Sequence, residues 1–399
     1  MSGFDGELRR ELEAIRKGGL HRELRRVDSA QSPHIEIAGR TFLNFSSNDY
    51  LRLSNHPALK EAAIKAVEKF GAGAGASRLI SGSLAPHHEL EETLAAFKGT
   101  QASISFSTGY AAALGAITAI VGKNDIVILD KLVHASIVDA VRLSGATLRV
   151  FAHNDSADLE RKLLWARNLP SVPGKAPKRI LVVTESVFSM GGDLASLRGI
   201  ADLKDKYGAW LMVDEAHATG LFGAHRRGLI EEFDVAGRVE VQLGTLGKAC
   251  GAAGGYICGS RALIDLLVNR ARSFIFSTAP VPAAAAAARA GIEVIQSAEG
   301  EVLRQHLWSV VDHLKSALIE AGWALSPIRS AIVPLLIGKE EQATAIAAAL
   351  RERGVFVPAI RYPTVARGKA RLRLTATAAH TISDVAALVN ALTSAKALN

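Results

Sequence analysis

The feature that most limits what this chain can fold into is a series of short, unbroken apolar runs separated by helical patterns. Ile126-Val127-Ile128-Leu129, Ile180-Leu181-Val182-Val183 and Trp210-Leu211-Met212-Val213 are each bounded by polar or turn residues. Runs without polar alternation suit strands buried on both faces, hence a mostly parallel sheet with helices on both sides. The spacing from Leu197 to Tyr207 predicts a helix between the second and third runs, which makes this an α/β architecture. After Ala290 the pattern changes, and helical stretches over 302–321 and 342–353 alternate with strand-like segments over 332–337 and 371–375. A chain of 399 residues exceeds what a single hydrophobic core usually serves. The expectation is therefore an N-terminal helix and arm over 1–55, a large domain over 56–285 and a small C-terminal α+β domain over 286–399.

Composition narrows the function classes. Apolar residues make up 49% and charged residues 22%, which supplies a sizeable core and argues against global disorder. The net charge of +8 is spread along the chain and gives only a mild preference for anionic partners, so a nucleic-acid partner is not expected. Cys250 and Cys258 are the only cysteines, which points to two reduced core thiols in a cytoplasmic setting and to no metal site. The longest nearly apolar stretch, Ala111 to Gly122, is too short to span a bilayer. Leu8, Leu12 and Ile15 have amphipathic spacing among arginines. Asp5, Glu7 and Glu11 are interleaved with them, so a surface helix is expected and not a transit peptide.

In open α/β sheets, ligands bind beyond the carboxyl ends of the strands. The third run continues as Asp214-Glu215-Ala216-His217, and the second as Thr184-Glu185-Ser186-Val187-Phe188-Ser189. Gln242 to Lys248 places a lysine after a small, flexible turn, and Ser107-Thr108-Gly109-Tyr110 reads as a strand-to-helix turn. An aldehyde cofactor such as pyridoxal 5′-phosphate (PLP) needs an amine, a carboxylate for its ring nitrogen, and donors for its phenolate oxygen and phosphate. Asp214, His217, Lys248 and a helix N-terminus supply those types. Taken singly, an Asp or Lys is more often a cap or a solvated side chain, and the spacing alone does not specify PLP.

The conjunction of motifs is what carries weight. Asn44-Phe45-Ser46-Ser47-Asn48-Asp49-Tyr50-Leu51, Phe151-Ala152-His153-Asn154-Asp155, Val187-Phe188-Ser189-Met190, Val213-Asp214-Glu215-Ala216-His217 and Gly244-Thr245-Leu246-Gly247-Lys248 occur in this order. Together they closely resemble the α-oxoamine synthases, fold-type I PLP enzymes that condense an amino acid with an acyl-CoA. The resemblance covers nearly the whole chain. It implies Lys248 as the Schiff-base lysine, Asp214 as partner of the pyridine nitrogen, His217 at the phenolate oxygen and His134 stacked on the ring. It further implies the backbone of Gly109 and Tyr110, with Thr245, at the phosphate, and Ser189 as another cofactor contact. Thr278 matches a residue that reaches the neighbouring subunit's phosphate, which implies a homodimer. Arg373 matches an arginine that binds the substrate carboxylate, and Arg22 and Asn48 fall on the substrate side.

The tail Ala359-Ile360-Arg361-Tyr362-Pro363-Thr364-Val365, followed by Arg371-Leu372-Arg373-Leu374-Thr375, is similar to the branch that condenses L-alanine with pimeloyl-CoA or a pimeloyl carrier protein in biotin biosynthesis. Branches that use glycine or serine share the motifs, and an aminotransferase shares the fold with Asp214 and Lys248. The chain departs from the family pattern at Arg52 and Ala218, where glycine is usual, at Ala112 and Ala113, and at Ala366.

Overall fold

The computed structural model describes residues 3–170 and 177–396. The chain divides into two compact units, one formed by residues 48–308 with 327–330, the other by the N-terminal 47 residues, 309–326 and 331 onward. The divisions at 47/48 and 308/309 differ from the sequence boundaries at 55/56 and 285/286. The helix Pro282–Gln296 packs on Pro57–Phe70 and Ala85–Lys98, and so belongs with the larger unit.

A seven-stranded sheet forms the larger unit. Its strands are β1 (Ala102–Phe106), β2 (Ile126–Asp130), β3 (Thr147–Phe151), β4 (Ile180–Glu185), β5 (Trp210–Asp214), β6 (Val241–Thr245) and β7 (Gly255–Gly259). Their spatial order is β1-β7-β6-β5-β4-β2-β3, and the pairs among β2 to β6 are parallel. Strand β7 runs antiparallel to both of its neighbours. The three apolar runs are β2, β4 and β5, and nearly every side chain in them is buried. On one face, Ile104, Leu129, Met212, Leu243 and Ile257 join Ile117 of the helix Gly109–Ile120 in a continuous core. The expected helix over 197–207 is present, and Gly208 ends it in the left-handed region that lets the chain reverse into β5.

The smaller unit holds two three-stranded sheets. His34–Ile37, Arg40–Asn44 and Val355–Phe356 form one; Ile332–Gly338, Ala370–Thr375 and Ala359–Ile360 form the other. The helices Glu340–Glu352 and Ile382–Lys396 accompany them. The amphipathic N-terminal segment is a helix, Gly3–Lys17, with no buried residue. Among the described residues, no helix is long and apolar enough to cross a membrane, and no cluster of metal-ligating side chains occurs. Both cysteines are buried free thiols, and burial pushes each up to about 12.

Candidate active site

The carboxyl ends of β4, β5 and β6 open on a cavity of about 210 Å³. Asp214 ends β5 and Glu185 ends β4, and the two are register partners on adjacent parallel strands. Lys248 follows β6 by three residues, held by a tight turn in which the Thr245 hydroxyl accepts the Gly247 N–H at 3.2 Å. All three line the cavity, with His134, His217, Thr245, Gly109 and Tyr110.

His217 is gripped from both sides. Its Nε2 lies 2.9 Å from Lys248 Nζ and its Nδ1 lies 2.5 Å from the Tyr50 hydroxyl. Tyr50 is buried and also reaches Asn48 Oδ1 at 3.3 Å, which places Asn48 one step behind His217. His134 caps the helix Ala135–Ser144, its Nδ1 accepting the Ser136 N–H at 3.3 Å. Desolvation lowers the His134 pKa, Asp214 works against that and Lys248 with it, so the imidazole is neutral near pH 7.

Asp214 is buried, with Oδ1 accepting the Ala216 N–H at 2.9 Å. Burial raises its pKa, while Lys248, the Ala216 N–H and His134 hold it down. Glu185 is a site residue that the sequence reading did not single out. Its Oε2 accepts the Ser189 N–H at 3.1 Å, and its Oε1 is buried without a partner. Burial and the neighbouring Asp214 carboxylate push Glu185 up. Two buried carboxyl groups this close do not both ionise readily, and Asp214, nearer the cationic partners, is the one that keeps its charge. The register of β4 on β5 is the signal that would have found Glu185.

The other side chains fall as follows. Ser189 is buried beside Glu185 and meets the site through its backbone. Gly109 and Tyr110 begin the helix Gly109–Ile120, whose first amides have no intrahelical acceptor. The Tyr110 hydroxyl is occupied by Asp139 Oδ2 at 2.9 Å, so only its backbone serves the cavity. A Cβ on Gly255 would lie 2.5 Å from the Gly109 Cα, so glycine is what lets β7 pass under this helix start. Thr278 is exposed and bridges to Ser77, and it is not among the residues lining its own chain's cavity. Arg22 and Arg373 lie in the smaller unit, Arg22 on an exposed segment and Arg373 buried with Nη1 donating to Thr375 Oγ1 at 2.9 Å.

The donor set fits a pyridine ring bearing an aldehyde and a phosphate. It offers an amine at Lys248, an ionised carboxylate at Asp214 that lacks a cation in direct contact, donors at His217, and helix-terminal amides at Gly109 and Tyr110. The model of the aminotransferase class I and II family matches residues 40–392. The chain belongs to that family. Within it, the α-oxoamine synthase branch contains the relatives most informative here. The 8-amino-7-oxononanoate synthase of Geobacter sulfurreducens is 47% identical over 96% of both chains. That of Herminiimonas arsenicoxydans is 43% identical over 97% of this chain and 98% of its own. Among solved structures, serine palmitoyltransferase from S. paucimobilis with PLP bound superposes with a TM-score of 0.91 at 32% identity, over 99% of this chain and 98% of that one. The Francisella tularensis 8-amino-7-oxononanoate synthase gives 0.74 at 26% identity, over 90% and 98%. The architecture is that of the fold-type I PLP-dependent transferases, in this α-oxoamine synthase branch.

Proposed function

We propose that this chain is a PLP-dependent 8-amino-7-oxononanoate synthase. It condenses L-alanine with pimeloyl-CoA, or with a pimeloyl carrier protein, and releases CoA or the carrier together with CO₂. The observation that carries this reading is the gathering of Lys248, Asp214, His217 and His134 around one cavity, in a chain 47% identical to an enzyme of that name. When bound, PLP supplies an aldehyde that takes the amino acid's nitrogen and a ring that accepts electrons from its Cα.

The residues have separate tasks. Lys248 Nζ anchors the cofactor and, once displaced by substrate, takes the proton from the alanine Cα. Asp214, kept ionised while Glu185 stays protonated, holds a proton on the ring nitrogen. His217 directs a donor at the phenolate oxygen, and Tyr50 fixes which of its nitrogens is available. His134, neutral, covers the ring and donates to the oxyanion that develops at the attacked thioester carbonyl. Gly109, Tyr110 and Thr245 receive the phosphate, with Ser189 at the cofactor's edge. Arg373, Arg22 and Asn48 serve the substrate, a guanidinium matching a planar carboxylate in bidentate fashion. The chain works as a cytoplasmic homodimer in which Thr278 reaches the phosphate in the partner subunit's site.

The test is CoA release by the PLP-loaded protein over a grid of alanine, glycine, serine and threonine against several acyl-CoAs. Release confined to alanine with pimeloyl-CoA is expected. Release with glycine or serine instead would move the chain to another branch. Conversion of the cofactor to its amine form by amino acid alone, without CoA release, would make it an aminotransferase.

A further inference from the structure

The smaller unit contains a concavity of about 530 Å³ that the chemistry above does not fully use. Four arginines line it: Arg22 and Arg25 from the segment after the N-terminal helix, Arg351 from the helix Glu340–Glu352, and Arg361 from beyond the strand Ala359–Ile360. Glu23 is the one acidic side chain in its wall, and the nearest cation to Glu23 is His21, at 3.6 Å. Among the described residues, no carboxylate makes an ion pair with any of the four arginines. Arg361 donates to the His21 carbonyl at 2.9 Å, which ties the two segments across the groove and leaves the rest of its guanidinium fork available.

Arg351 is the telling member. It is half-buried, and desolvation together with the neighbouring Arg25 charge lowers its pKa, against a smaller opposing effect from Glu352. Its place in the last turn of a helix offsets part of that cost through the helix dipole. Nothing comparable explains why Arg25 converges on it from a separate segment. Like charges brought together in a concavity without a counter-charge are stabilised by an anion that enters it.

We infer that this groove seats the phosphate-bearing nucleotide of a CoA thioester, with Arg25 and Arg351 taking phosphate oxygens. Guanidinium forks pair with phosphate in bidentate fashion, and a volume of this size is that of a small-ligand site. A carrier protein would instead need a broad face of roughly 800 Å² per partner, and a concavity closed by side chains does not offer one. The inference rests on the proposed synthase activity for the identity of the thioester, and on the groove alone for its anion.

The experiment uses the PLP-loaded protein and adenosine 3′,5′-bisphosphate as the probe, with Arg25→Gln, Arg351→Gln and the double variant, each checked for an unchanged unfolding midpoint. Calorimetry should show the bisphosphate binding to the unaltered chain, more weakly as salt rises, with a loss of about tenfold per arginine removed. The KM for pimeloyl-CoA should rise by the same factor. The KM for pimeloyl-pantetheine, which has no phosphate, should not move. Equal bisphosphate affinity in the double variant overturns the inference, as does an equal rise in KM for both thioesters. A shift for pimeloyl carrier protein without any bisphosphate binding overturns it in favour of a protein donor. Should the unaltered chain turn over no thioester yet bind the bisphosphate through these arginines, the proposed activity fails and the anion site stands.

Discussion

Asp214 and Glu215 are consecutive residues at the end of one strand, and each is opposed by a lysine, yet the two pairs differ in kind. Glu215 is fully buried: Oε2 takes Lys98 Nζ at 2.6 Å and Oε1 takes the Ile230 N–H at 2.9 Å. Lys98 spends a further proton on the Arg227 carbonyl. That network is closed. Asp214 sits on the cavity side with one backbone N–H on Oδ1, Lys248 is turned to His217, and Glu185 Oε1 beside it has no partner. That network is open. A satisfied buried ion pair specifies a packing arrangement, whereas an unsatisfied set at a cavity wall is one that a ligand completes.

The sharpest way to break this comparison is to remove each lysine in turn. Lys248→Ala should cut turnover by roughly 10³-fold or more and abolish the cofactor's lysine-bound absorbance. Urea unfolding of its cofactor-free form should shift by less than about 1 kcal/mol. Lys98→Ala should do the reverse, destabilising the chain by about 3–5 kcal/mol because it strands the Glu215 charge in the interior. Matching losses of stability in the two variants would erase the distinction.

Gly228 tests the closed network from another direction. Its φ is +126°, and a Cβ there would lie 2.3 Å from Glu215 Oε2. Gly228→Ala should therefore cost about 2–4 kcal/mol, measured by chemical unfolding, and leave the cofactor's spectrum in the folded fraction unchanged.

His153 provides a pH handle near the open network. Burial disfavours its charge, but bonds to Asp130 Oδ1 at 3.0 Å and Asp193 Oδ2 at 2.6 Å outweigh that and push it up to about 9. This clasp holds the turn that carries Ser189, in which Phe188 N–H donates to the Asp193 carbonyl at 2.9 Å. The folded pKa lies above the unfolded value of about 6.5, so the contribution is complete below about pH 6.5 and is lost as pH rises through 9. Stability should fall by about 1–3 kcal/mol over that window, and His153→Gln should flatten the profile. An unaltered slope in the variant would assign the pH dependence elsewhere.

The sheet was legible where its strands are unbroken apolar runs, and less so at its edge. Strand β1 carries Ser103 and Ser105, whose hydroxyls are satisfied by the Glu91 carbonyl and carboxylate at 2.6 and 2.8 Å. Strand β6 includes Gly244, where a Cβ would meet the Tyr256 ring at 2.2 Å. Polar and glycine residues like these read as turns until the tertiary partner is seen. Asp214, His217 and Lys248 were legible because they follow strands in a motif order that resembles a known family. Glu185 was not, since a glutamate after an apolar run looks like the solvent-facing end of a strand, and only its register against Asp214 makes it a site residue. The arginine groove escaped for a related reason, its members being spread from Arg22 to Arg361 with no spacing to connect them.

Arg52 gives the smallest effect and separates backbone from side chain in the loop that carries Tyr50 to His217. It lies at φ 56°, ψ 32°, just before the short turn Leu53–Asn55, in the left-handed region that favours the glycine usual in the family. A non-glycine residue there costs roughly 1–2 kcal/mol. Arg52→Gly relieves that strain but loosens the unfolded chain by roughly 0.4–1 kcal/mol. It also removes a positive charge that helps hold down the pKa of Asp49, which burial raises and the Ser54 and Leu53 bonds lower more strongly than Arg52 does. The net gain in stability should be no more than about 1 kcal/mol by urea unfolding. If Arg52 matters only through its backbone, the KM values for both substrates stay where they are. A selective change in KM for the acyl donor would mean that the side chain itself borders the acyl path, and that the open network extends further along this loop than His217 and Tyr50.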